Sequence, residues 1–217
     1  MKRPEKLVRR SIQLLVGLFL YGIAIAFLVR SALGAAPWDV LAQGLALHLP
    51  VSFGVITVII SGIVLLLWIP LRQRLGVGTV LNALLVGPSA DIGFLLIPTP
   101  DQLWLQIIFF ALGLTILAAA TGLYIGASFG PGPRDGLMTG LHKRTRLPIW
   151  VVRTAIELVV VLIGWLLGGV VGIGTAAFAV LIGPMCQFFM RIFAIPLKNS
   201  AQALPMSAQS LAETRDS

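Results

Sequence analysis

Apolar positions in this chain form long unbroken runs rather than alternating stripes. Ile12 to Val29 and Leu103 to Ile125 carry no charged residue. A helix of about twenty such residues crosses ~30 Å of hydrocarbon. A membrane barrel needs two-residue alternation, which is missing here. Polar and charged residues gather in the breaks, together with glycine and proline. The spacing predicts long helices over Ile12–Arg30, Val51–Ile69, Val80–Ile97, Leu103–Ile125, Ile149–Leu167 and Ala176–Phe193. Short helices are expected over Asp39–His48 and Asp135–Lys143. The expected fold class is an all-α membrane protein with six spans.

The second half of the pattern repeats the first at an offset of 96. Gly17 matches Gly113, Gly34 matches Gly130, Pro37 matches Pro133, and Asp39 matches Asp135. Further on, Gly76, Gly78 and Thr79 match Gly172, Gly174 and Thr175, and Gly87-Pro88 matches Gly183-Pro184. Between these blocks Leu49-Pro50 meets Leu147-Pro148 at 98, a two-residue slip. Glycine, proline and aspartate recurring in order mark a duplication. Repeat unit one is 12–97 and unit two 103–193, with a cytoplasmic flank over 1–11 and a polar, disordered tail over 199–217.

Three spans per unit would invert the second copy, and the charges agree. Ala46, Leu47 and His48 correspond to His142, Lys143 and Arg144, whereas Arg72, Gln73 and Arg74 correspond to Gly168, Gly169 and Val170. Matching loops with opposite basic content belong on opposite sides of a membrane. Six spans put both termini in the cytoplasm. The expected outer segments Ser31–Pro50, Pro98–Gln102 and Gly168–Gly174 hold no lysine or arginine. Trp38, Trp68, Trp104, Trp150 and Trp165 fall near span ends, where interfacial aromatics belong.

Composition narrows the function. Hydrophobic residues make up 58% and charged residues 11% of 217, too few charges for a surface bathed in water. The net charge of +8 sits in short cytoplasmic clusters and leaves no basic domain for nucleic acid. Cys186 is the sole cysteine and His48 and His142 lie far apart, so no disulfide, metal centre or cofactor is expected. The implied partner is the lipid bilayer.

The segments Gly34-Ala-Ala-Pro37-Trp-Asp39 and Gly130-Pro-Gly-Pro133-Arg-Asp135 carry the most information. Glycine and proline stop one helix, and the aspartate stands where it could N-cap the next. The pair reads either as capped interfacial helices or as re-entrant helices dipping toward the midplane from opposite faces, the usual place of a transporter's substrate site. Arg153 and Glu157, four apart on the fifth span, are a structural pair or a substrate or proton site. At the local offset of 98 they replace Val55 and Ile59. Asn82 and Asp91 are helix–helix hydrogen-bonding groups or ligands. The Gly-x-Gly-Thr segments at 76–79 and 172–175 are tight turns capped by threonine or anion cradles. Gly164, Gly168 and Gly172 could admit a close helix.

The Gly34…Pro37-Trp-Asp39 and Gly130-Pro-Gly-Pro133-Arg-Asp135-Gly136 segments, with the paired Gly-x-Gly-Thr turns, resemble the YczE/YyaS/YitT group of bacterial integral membrane proteins over roughly residues 10 to 195. The resemblance implies a bacterial inner-membrane protein and supplies no catalytic residue. The expected function is a small secondary transporter, or transporter-like protein, for a small solute, with proton coupling as an option. The alternatives are a substrate-binding subunit of a larger transporter and a non-transporting accessory protein, with a homo-oligomer or partner subunit to match. No nucleophile–base pair suggests an enzyme. The candidate substrate residues are Asp39, Asn82, Arg134, Asp135, Arg153 and Glu157.

Overall fold

A computed structural model describes residues 4–193, with side chains from Leu7 onward. The tail expected over 199–217 lies outside the described residues. Eight helices follow in order: α1 Pro4–Arg30, α2 Pro37–Ala46, α3 Phe53–Leu71, α4 Val77–Leu96, α5 Leu103–Gly126, α6 Pro133–Thr145, α7 Ile149–Leu166 and α8 Ile173–Phe193. No strand occurs among the described residues. All but α2 and α6 are long and apolar enough to cross a membrane. Their outward faces carry exposed leucine, isoleucine and valine, which suits lipid and not water. The protein is an all-helical membrane protein.

The duplication is visible in the backbone. The starts of α2, α3 and α4 precede those of α6, α7 and α8 by the same 96 residues. Left-handed residues recur at that spacing too: Ala32 and Ser128 at φ 55° and 56°, Gly34 and Gly130 at 117° and 123°, Arg72 and Gly168 at 50° and 89°. At Gly34 and Gly130 the chain needs glycine, because a side chain would be strained there and would also press on Thr175 or Thr79.

Contacts between the units are reciprocal. Gly17 lies against Tyr124 and Gly113 against Leu28, close enough that an added Cβ would stand 2.9 Å from Tyr124 N and 3.0 Å from Leu28 N. Position increases along α1 as it decreases along α5, so these counterpart helices run antiparallel. Gly78 N donates to Phe129 O at 3.0 Å, and Gly174 N to Leu33 O at 2.8 Å. Such exchange, residue i on j and j on i, is what a two-fold relation would require.

The helices form two layers. One core joins Leu14, Leu18 and Ile25 of α1 to Val86 of α4, Leu114 and Leu117 of α5, and Phe178 and Ile182 of α8. The other joins Trp38 of α2, Ile56, Ile60 and Trp68 of α3, Leu137 of α6 and Val160 of α7. Each layer takes the same two elements from each unit.

Several expectations need correction. The first long helix, expected from Ile12, starts at Pro4, because proline suits the first turn and Arg10 anchors this end. Arg10 donates to Ala127 O and Ser128 O at 2.7 and 2.8 Å and lies over the Phe129 ring. Trp104, Trp150 and Trp165 are exposed as interfacial residues should be, but Trp68 is only 2% exposed and Trp38 is buried. The Trp68 indole packs on Gly136, where a Cβ would overlap it, and donates to Pro133 O at 3.0 Å. The Gly-x-Gly-Thr segments are first turns of α4 and α8, with Gly76 N and Gly172 N bonded to Thr79 and Thr175 Oγ1. Of Gly164, Gly168 and Gly172, the first admits α2, its Cβ position lying 2.5 Å from Leu41 N.

Candidate functional site

The two short helices begin with Pro37 and Pro133, whose fixed φ suits a first turn. The capping positions are Ala36 and Gly132, and neither start has a side-chain cap. Asp39 and Asp135 therefore sit inside the first turn and cap nothing, contrary to the N-cap reading. With that duty removed, their carboxylates are spent elsewhere.

Asp39 is buried, its side chain 1% exposed, and faces Arg134 of the other unit with Nη2 3.5 Å from Oδ1. That separation is an ion pair rather than a good hydrogen bond, and Oδ1 accepts no hydrogen bond. The Arg134 guanidinium also lies 5.3 Å from the Trp38 ring centroid. The starts of α2 and α6 thus meet through Asp39, Trp38 and Arg134. Helix starts are electropositive, and an acid in the first turn offsets part of that field.

Where they meet, a cavity of about 290 Å³ lies between the two helix layers. Asn82, Arg134, Asp135, Arg153 and Glu157 line it, together with Trp38. Asp39 stands behind this wall, holding Arg134. The Asp135 Oδ2 atom accepts from Tyr124 OH at 2.7 Å, and Arg153 Nε donates to Glu157 Oε1 at 2.8 Å. Five of the six candidate residues therefore share one cavity. The glycines and prolines act by shaping the breaks: Gly34, Pro37, Gly130 and Pro133 before α2 and α6, and Gly76, Gly78, Gly172 and Gly174 at the starts of α4 and α8.

The slip of 98 does not extend into the helices. Gly44 packs on Leu167 and its counterpart Gly140 on Leu71, so α3 and α7 keep the offset of 96. The counterparts of Arg153 and Glu157 are Thr57 and Ser61, which line the same cavity. Val55 and Ile59, matched at 98, are exposed on the outer face. Polarity at this position is shared by both units; charge is confined to the second.

A second asymmetry lies one turn away. In unit one, Asp91 of α4 clasps the start of α3. Its Oδ2 accepts from Ser52 Oγ at 2.5 Å and its Oδ1 from Gly54 N at 2.8 Å. Beside it Gly54 and Gly87 bring the two backbones together so closely that a Cβ on either would overlap the other's carbonyl. In unit two the counterparts are Pro148, Trp150, Gly183 and Gln187. No clasp forms, Trp150 turns outward, and Gly183 has open space around it. The α3–α4 pair packs along its length while α7 and α8 barely touch. Arg153, Glu157, Gly183 and Gln187, beside this loose joint, all line the cavity.

Sequence reasoning missed Tyr21, Tyr124, Thr57 and Ser61 in the cavity. The last two were available as a polar i, i+4 pair at an offset of 96. Tyr124 has no such signal, since its counterpart is Leu28. Asp91 belongs to the clasp, as a helix–helix hydrogen bond.

One of the similar proteins is named a membrane protein, in keeping with the six long apolar helices. An "Uncharacterized protein" of Haemophilus influenzae is 42% identical over 181 residues, covering 83% of each chain. "Uncharacterized membrane protein YczE" of Bacillus subtilis is 29% identical over 85% of this chain and 86% of its own. "Uncharacterized protein YyaS" of the same organism is 25% identical over 82% and 90%. No solved structure matches. Residues 8–191 match the model of the "Family of unknown function (DUF6198)", and with this cover the chain belongs to that family.

Proposed function

We propose that the protein is a small secondary transporter, or a transporter-like protein, that binds a small solute in the cavity between α2 and α6. The observation that carries the reading is the meeting of two broken helices, one from each unit, at a single cavity lined by charged side chains. Ionisable groups inside a membrane are costly and are kept where they serve a pathway or site. Broken helices in matching positions of two repeats are where transporters hold their substrates.

The likeness is one of architecture, and architecture alone does not assign chemistry. We further infer a bacterial inner membrane with both termini in the cytoplasm, from the basic residues Arg72, Arg74, Lys143, Arg144 and Arg146 on one side. In that orientation the clasp seals the outer side and the gap between α7 and α8 opens inward. Solute uptake by the purified protein alone in liposomes tests the proposal. Uptake that requires a second chain would instead favour a solute-binding subunit, and a solute-indifferent protein would favour an accessory role.

A further inference from the structure

We propose that the cavity takes a small organic cation, an amine or quaternary ammonium group, with Asp135 as its counter-ion; this rests on the solute-binding reading above. Charge bookkeeping around the cavity points there. Arg134 faces Asp39 and Arg153 bonds Glu157, so two bases answer two acids. Among the described residues Asp135 has no basic partner, only the Tyr124 hydroxyl. The positive end of α6 offsets about half of the Asp135 charge and that of α2 faces Asp39, so what Asp135 lacks is a cationic group in direct contact.

The space beside that carboxylate is kept clear. Gly132 starts α6, and a Cβ there would stand 3.2 Å from both Asp135 Oδ2 and Tyr124 OH. Any other residue would fill the corner where a ligand's charged end would sit. The adjoining wall is aromatic, with Tyr21 and Tyr124 edge to face at 6.0 Å. Aromatic faces attract cations, and this cavity already holds one in that way, Arg134 over Trp38. A metal ion suits the site poorly, because among the described residues no three His, Cys, Asp or Glu side chains cluster as ligands. At about 290 Å³ the cavity lies at the small end of ligand pockets, so the cation is small.

The test is thermal unfolding of the full-length protein in detergent at constant chloride. The probes are methylammonium and tetramethylammonium, against sodium acetate and glycerol. The expected result is a midpoint that rises with either cation and not with the others, since a ligand of the native state stabilises it. Asp135→Asn should weaken the apparent affinity by roughly tenfold, the loss of one charge contact at an exposed carboxylate. Gly132→Ala, which keeps the carboxylate but fills the corner beside it, should lose most of the cation-dependent stabilisation. It keeps the test decisive if the Asn variant does not fold. Stabilisation by acetate or glycerol but not by the cations would overturn the cation assignment and leave solute binding standing. Equal cation stabilisation of Asp135→Asn would move the site elsewhere. No effect from any probe would count against both readings.

Discussion

Replacing Asp91 with alanine should open the joint between α3 and α4 and cost the protein about 2–4 kcal/mol. The figure follows from what the carboxylate does. Each of its oxygens accepts one hydrogen bond, from Ser52 Oγ at 2.5 Å and from Gly54 N at 2.8 Å. Bonds to a charged acceptor contribute about 1.5–3 kcal/mol each, and the exposure of Ser52 places its bond at the lower end. Gly54 lies in the first turn of α3, where N–H groups lack helical acceptors, so its donor would be stranded. Ser52 also caps Val55 N at 3.2 Å, and losing its own partner loosens that cap.

Reversible unfolding in mixed micelles, with Ser52→Ala and the double variant alongside, measures the clasp as a coupled unit. Ser52→Ala should lose about 1–2 kcal/mol, and the double variant should fall short of the sum by about 1 kcal/mol. An Asp91→Ala loss below about 0.5 kcal/mol, or strict additivity with Ser52→Ala, would refute the clasp.

Other outcomes follow from the same geometry. Gly87→Ala should cost about 1–3 kcal/mol or more by driving a methyl into the Gly54 carbonyl, whereas Gly183→Ala at the matching place meets nothing within 4 Å and should be neutral or slightly stabilising, both read by thermal melts. Arg134→Gln should cost about 3–5 kcal/mol by leaving the buried Asp39 carboxylate unpaired, and adding Asp39→Asn should recover part of that loss in denaturant titrations. Reporter fusions after Pro100 should read outside and after Arg144 inside, and an outside Arg144 would end the inverted topology.

Much of this fold was legible because membrane helices obey a coarse rule. A run of apolar residues must be a helix where water is absent, so composition alone yields spans. Glycine, proline and aspartate then exposed the duplication, since they occupy positions that few other residues fill. The local register was harder. Leu49-Pro50 and Leu147-Pro148 match at 98 because α6 runs to Thr145 and leaves a three-residue link, while α2 stops at Ala46 and leaves six. Prolines at the two links are not structural equivalents, and trusting them hid Thr57 and Ser61. Tyr124 was illegible for another reason. A tyrosine in an apolar run looks like any core aromatic until the break after α5 brings Asp135, eleven residues on, to its hydroxyl.

The asymmetry between the units has a consistent physical logic. An ion pair sealed from water loses more by desolvation than its attraction returns, unless its geometry is excellent. Thr57 and Ser61, next to the closed α3–α4 joint, are neutral, and Thr57 returns its hydroxyl to Phe53 O of its own helix at 3.0 Å. Arg153 and Glu157 stand at the matching places beside the open α7–α8 gap, 49% and 21% exposed, where water can meet part of their charge. At these matching places on α3 and α7, an ion pair therefore appears only in the unit that lacks the clasp. Pro148, Trp150 and Gln187 remove the clasp, and the same divergence makes an Arg–Glu pair tolerable two turns along α7. The exception strengthens the point. Among the described residues Asp39 is the one paired carboxylate held deep inside, 1% exposed, and its contact with Arg134 joins the two broken helices across the units, where a hydrophobic substitute could not fix which helix start meets which.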